Sequence, residues 1–127
     1  MPIYPNANDV LEIHGWLIER FGGSHGLRDP GALDSALARP QSGYYADLIE
    51  EAAAMWESLS QNHPFVDGNK RVSITVTMAF LAANGVRVEF EDLEVYSFLI
   101  ELYESGAFRW RELDLWIRDH LAQTPIR

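Results

Sequence analysis

Apolar residues recur at three- and four-residue steps through most of the chain, the period of helices with one buried face, and glycine or proline punctuates the runs. Between Asn8 and Phe21 the stripe is Val10, Ile13, Leu17, Ile18 and Phe21; Asn8 or Asp9 can cap its start, and Gly22-Gly23 stops it. After the glycine-rich loop GGSHGLRD, Asp29-Pro30 reads as an N-cap followed by proline at the first helical position. Ala32, Leu33, Ala36 and Leu37 carry that short helix on until Pro40 ends it. The segment PQSGYYAD is irregular or extended. A longer helix is expected from Asp47 to Gln61 on Leu48, Ala52, Met55, Trp56 and Leu59. Another runs from Gly68 to Asn84 on Val72, Val76, Ala79, Phe80 and Ala83, with Gly85 suited to the left-handed position beyond its end; it is the candidate for the central buried helix. The tract VRVEF is β-prone but short. Two last helices, Glu91 to Ser105 and Arg109 to Ala122, would turn Leu93, Tyr96, Leu99, Ile100, Leu113, Trp116, Ile117 and Leu121 inward. The pattern predicts an all-α bundle of about six helices with one small flap or hairpin.

Composition narrows what such a bundle can do. With 127 residues and no repeat, low-complexity tract or long linker, one domain over residues 1–127 is expected. An apolar fraction of 47% excludes a disordered chain, and the lack of cysteine excludes thiol nucleophiles and thiolate zinc sites. Nineteen acids against ten bases give a net charge of −9, which repels a nucleic-acid backbone. The opening MPIYPNANDVLEIHGWLIERF has no basic targeting region, and no apolar run approaches a membrane span, so a soluble, cytoplasmic protein without membrane contact is expected. Nine of the ten bases are arginine; Lys70 is the sole lysine.

That lysine falls in the stretch with the most chemistry. His63-Pro64-Phe65-Val66-Asp67-Gly68-Asn69-Lys70-Arg71 gathers an imidazole, a carboxylate, a carboxamide, an ammonium and a guanidinium at a loop-to-helix junction. The first amides of a helix have no intrahelical acceptor and the helix dipole is positive there, so Gly68, Asn69 and Lys70 can present N–H groups to an anion. His63 can accept a proton from an attacking hydroxyl. Asp67 is a hard oxygen ligand suited to Mg²⁺, and Lys70 and Arg71 can neutralise a transferring phosphate. Each residue alone has a plainer reading: Asp67 as a helix cap, His63 as a loop histidine, Lys70-Arg71 as a solvated surface. Phe65 is read as a core anchor. His25 could border a nucleotide but reads more simply as an exposed loop residue, and His14 and His120 look structural. The combined spacing favours phosphate transfer by positioning and electrostatics.

The stretch resembles the signature of the Fic/Doc family, H-x-F-x-D/E-G-N-G/K-R, met in full by His63, Phe65, Asp67, Gly68, Asn69, Lys70 and Arg71. LRDPGALDSALARP and FLAANG extend the likeness to the short death-on-curing toxins. AMP-transferring members usually carry glycine where this chain has Lys70, and a second arginine where it has Ile74. The resemblance therefore implies a Fic-type fold and a protein kinase that transfers the ATP γ-phosphate, with Mg²⁺ on Asp67. His63, Asp67, Lys70 and Arg71 would be catalytic, and Gly68, Asn69, Lys70 and Arg71 would bind the nucleotide. It implies a translation elongation factor as substrate, phosphorylated on threonine, and a toxin-antitoxin module with a small DNA-binding antitoxin as partner. Residues Gln41 to Ala46, with Tyr44 and Tyr45, would form a flap that docks an extended peptide by strand addition.

Two other readings compete: AMP transfer as in the wider class, and a non-catalytic module that binds a nucleotide or antitoxin. Metal-dependent hydrolysis by His63 and Asp67 fits poorly, since such sites need more protein ligands.

Overall fold

A computed structural model describes residues 1–122. It contains six α-helices: α1 (Ala7–Phe21), α2 (Pro30–Ala38), α3 (Leu48–Gln61), α4 (Asn69–Ala83), α5 (Asp92–Ser105) and α6 (Trp110–Asp119), with a 3₁₀ turn at Arg39–Gln41. The described residues contain no β-strand, so the fold is all-α. Two isolated bridges, Leu27 with Phe65 and Val88 with Leu121, are the only strand-like pairings among them. No helix among these residues is long and apolar enough to cross a membrane.

Local signals set most helix ends. The Asp29 side chain accepts the Ala32 N–H with Pro30 in the first turn, and the Asp47 side chain likewise accepts from Glu50. At the end of α4 the N–H of Gly85 bonds to the Ala82 carbonyl and that of Val86 to the Leu81 carbonyl. Gly85, at φ 81°, supplies the left-handed residue this double cap requires. The start of α1 differs from expectation. Its cap is Asn6, and Asp9 is the third helical residue, returning a bond to the Asn6 N–H in a reciprocal capping box.

The most enclosed helix is α3 rather than α4. Ala52, Ala53, Ala54, Met55, Trp56 and Leu59 have no solvent exposure, and the helix packs against α2, α4 and α6. Its three consecutive alanines allow that on several sides, because a methyl group keeps neighbouring backbones close. In α4, Ala79 and Ala83 face solvent, and Val72, Ser73, Val76, Thr77, Phe80 and Leu81 face inward. Buried Thr77 satisfies its hydroxyl on the Ser73 carbonyl.

The expected inward face of α5 is also rotated. Leu93, Tyr96 and Ile100 are exposed, whereas Val95 and Leu102 are buried. Phe98, half-buried, selects the face by stacking on Trp116 of α6, whose indole also meets Trp56 edge-on. Leu121 is exposed too. The β-prone tract forms no hairpin: Glu89 N–H bonds to His120 O and Ala122 N–H to Arg87 O, so it pairs with the chain leaving α6.

Candidate functional site

The motif is a loop folded back on itself and tied at each end. Asn69 is buried; its Oδ1 accepts the Phe65 N–H at 2.9 Å and its Nδ2 donates to the Phe65 carbonyl at 2.9 Å. Phe65, 1% exposed, lies under the ring of His14 with centroids 3.8 Å apart and planes 6° apart. This is the core anchor expected of it. His14 Nε2 donates to the Asp67 carbonyl at 2.7 Å, so this buried histidine is structural and holds the motif from α1. On the other side, Arg28 and Asp29 N–H groups donate to the Pro64 carbonyl, and Val66 N–H to the Gly26 carbonyl.

Asp67 is not the cap of α4. That position belongs to Gly68, at φ 78°, and no side chain caps the helix. The Asp67 carboxylate turns instead toward the loop after α1: Oδ2 accepts the Ser24 N–H at 3.1 Å and Oδ1 the Gly68 N–H at 2.9 Å. A Cβ on Gly23 would stand 2.7 Å from Asp67 Oδ2, so the close approach requires glycine there. Each carboxylate oxygen keeps a further lone pair, and the residue is exposed. Among the described residues no cluster of three or more His, Cys, Asp or Glu could hold a metal. Asp67 offers an exposed carboxylate that a hard cation such as Mg²⁺ could take as one of its oxygen ligands.

Because Gly68 N–H is taken, the amides left for an anion shift by one position from the expected set. The first helical bond runs from Val72 N–H to Gly68 O, so the N–H groups of Asn69, Lys70 and Arg71 have no acceptor among the described residues. Asn69 contributes only through its backbone, its carboxamide being committed to Phe65. Two exposed cations flank these amides and diverge. Lys70 Nζ stands 4.3 Å from the Tyr103 ring centroid on α5, and the Arg71 guanidinium 4.7 Å from that of Phe21 at the end of α1. Neither forms an ion pair among the described residues. Their charge is uncompensated in an otherwise acidic molecule.

His63 is exposed and is the only described non-glycine residue at positive φ, 49°. Such a backbone costs about 1 kcal/mol or more and persists where surroundings impose it. His63 directly follows Asn62, the C-cap of α3, and Arg28 braces the turn, donating from Nε to the His63 carbonyl at 2.7 Å and from Nη2 to the Asn62 carbonyl at 3.0 Å. This role for Arg28, and those of Gly23 and Asn69 as ties, are invisible in the sequence pattern because all three depend on contacts across the loop. His25 pairs with Glu19 at 2.7 Å on the surface, the plainer of its two expected roles. The shallow depression lined by Ser97, Ile100, Glu101, Glu104 and Ser105 contains none of the motif residues.

The Gln41–Ala46 segment contains no strand. Tyr44 is exposed and meets Tyr45 edge-on; Tyr45 accepts a bond from Arg39 Nε at 2.7 Å and abuts Trp110. The Arg39 Nη1 also reaches Glu57 Oε1 at 2.6 Å, and Glu57 Oε2 accepts the Trp110 N–H. The segment is thus rooted at Tyr45 and open at Tyr44.

These features coincide with similarity to known proteins. The chain is 45% identical over 73 residues to Toxin Doc of Mycolicibacterium smegmatis, covering 54% of this chain and 56% of that protein. It is 33% identical over 98 residues to Protein kinase doc of Escherichia phage P1, covering 71% of this chain and 78% of that protein. The chain thus spans little more than half of the first relative and over three-quarters of the second. Residues 4–81, which run from before α1 to within α4 and include the whole motif, match the Fic/DOC family, and the chain belongs to that family.

Proposed function

We propose that this protein is the toxin of a toxin-antitoxin module, a cytoplasmic protein kinase that transfers the γ-phosphate of ATP to a hydroxyl of a translation elongation factor and so stops translation. The names of the two relatives, a toxin and a protein kinase, support the toxin and kinase parts of this reading. Its main structural support is the uncompensated Lys70 ammonium beside three acceptor-free amides. AMP-transferring relatives usually have glycine at that position, leaving room where this chain puts a charge. Ile74, where they have arginine, is half-buried against the core.

In this mechanism the amides of Asn69, Lys70 and Arg71 hold phosphate oxygens, and the helix dipole adds to their attraction. Lys70 acts as a point charge and Arg71 as a fork, both balancing negative charge on the transferring group. His63, poised by Arg28, accepts the proton of the attacking hydroxyl. Asp67 would hold Mg²⁺, which when bound would supply positive charge to offset that on the transferring phosphate. Tyr44 would contact the protein substrate, and a small DNA-binding antitoxin would cover the site.

Growth tests the reading. Expression of the wild type should arrest growth and amino-acid incorporation, expression of His63→Ala should not, and the cognate antitoxin should relieve the arrest. Harmless expression of folded wild type would favour a non-catalytic binding module.

A further inference from the structure

Lys70 is the only lysine in the chain, and its ammonium is held by something other than a carboxylate. The ring beneath it belongs to Tyr103, on α5, beyond the stretch that matches the family. That ring is fixed on two further sides. Its hydroxyl exchanges a hydrogen bond with Ser60, which is 2% exposed on α3, and its other contact is a parallel stack on Phe108 at 4.4 Å and 6°. Burial pushes the phenol pKa up despite the opposing bond from Ser60, so the ring stays neutral through the physiological range.

We infer that Tyr103 is a positioning residue for Lys70: its ring, immobilised by Ser60 and Phe108, holds the ammonium beside the first turn of α4 with its outward donors directed to an anion. A lysine side chain is flexible and strongly hydrated, so fixing it on water would cost conformational entropy at each encounter. An aromatic face attracts the cation without neutralising it. A carboxylate in the same place would hold the lysine more firmly but cancel the charge that a phosphate needs. The ring thus serves as an anchor that leaves the charge available. The inference rests on Lys70 acting on phosphate, and it adds the residue that sets where Lys70 stands.

The single lysine makes the test direct. Reductive methylation with ¹³C-formaldehyde keeps the positive charge and labels only Lys70 and the amino terminus. In the wild type, Lys70 methyl signals should be shifted upfield by the ring and show nuclear Overhauser contacts to Tyr103 ring protons. The shift should persist in Tyr103→Phe and vanish in folded Tyr103→Leu. Wild-type signals at the solvent-exposed position, without contacts to Tyr103, would overturn the inference, whether or not the leucine variant folds. In the transfer reaction Tyr103→Leu should lower kcat about threefold to tenfold, with Tyr103→Phe near wild type. An unchanged kcat in folded Tyr103→Leu would also overturn it. If the wild type transfers nothing while the methyl signals behave as expected, the kinase reading fails and the placement of Lys70 stands.

Discussion

Asn69 and Phe65 exchange two hydrogen bonds, side chain to backbone in both directions, each 2.9 Å long and both buried. One carboxamide thereby closes the loop that carries His63 and Asp67 onto the first turn of α4. Asn69→Asp keeps the acceptor and loses the donor, leaving the Phe65 carbonyl unsatisfied and a carboxylate buried. It should cost about 2–4 kcal/mol of stability, read from the midpoint of denaturant unfolding. Asn69→Ala should fall in the same range, since both Phe65 groups then lack a partner.

His63 separates stability from activity. Replacement by alanine or glycine should abolish transfer while the fold survives, because the imidazole is exposed and makes no hydrogen bond or ion pair among the described residues. The positive φ makes glycine the better fit. His63→Gly should be about 1 kcal/mol more stable than His63→Ala in chemical denaturation.

Arg28 acts on His63 only through the backbone, so its loss should misplace the base without unfolding the chain. Arg28→Ala should reduce kcat roughly 10- to 100-fold. Arg28→Lys should recover only part of that, because one ammonium cannot reproduce the fork on two carbonyls. A thermal scan beside the kinetics distinguishes this from general destabilisation.

Gly23→Ala should act through Asp67. The new methyl would meet the carboxylate at 2.7 Å and the backbone is at φ 111°. A stability loss of about 1–3 kcal/mol in denaturant titration is expected. The Mg²⁺ concentration needed for half-maximal activity should rise, because the carboxylate must move.

The sequence pattern located the six helices within a few residues, and it located the motif because those residues are consecutive. Proline at Asp29-Pro30 and glycine at Gly85 act locally, so their signals were readable. The orientation of α5 was not readable. Leu93, Val95, Tyr96, Phe98, Leu99, Ile100, Leu102 and Tyr103 surround that helix with apolar groups. Contacts from distant parts of the chain, Trp116 on Phe98 and Ser60 and Phe108 on Tyr103, accompany the face that turns inward. The plain reading of Asp67 as a cap failed for a similar reason, since Ser24 and Gly23 reach it from over forty residues away in sequence.

The end of α6 carries a pH dependence. Burial opposes protonation of His120, but the Trp116 carbonyl and Glu94 outweigh it, and the histidine pKa is raised above its ordinary 6.5. A raised folded-state value means that the protonated pair stabilises the fold fully below the unfolded-state pKa and loses that contribution as pH rises through the folded-state pKa. The melting temperature should therefore decline from pH 6 toward pH 8, and His120→Gln should flatten that part of the profile. A wild-type profile identical to that of His120→Gln over this window would show that the pair does not contribute to stability.

If Lys70 and the amides of α4 direct the terminal phosphate, and not the nucleotide, onto the acceptor, only the γ-phosphate of ATP should reach the protein. Parallel reactions with ATP labelled at the γ-phosphate and ATP labelled at the α-phosphate measure this most directly, with elongation factor as acceptor and His63→Ala as the control. Label is expected on the protein from γ-labelled ATP alone, lost in His63→Ala. Label retained from α-labelled ATP would contradict it.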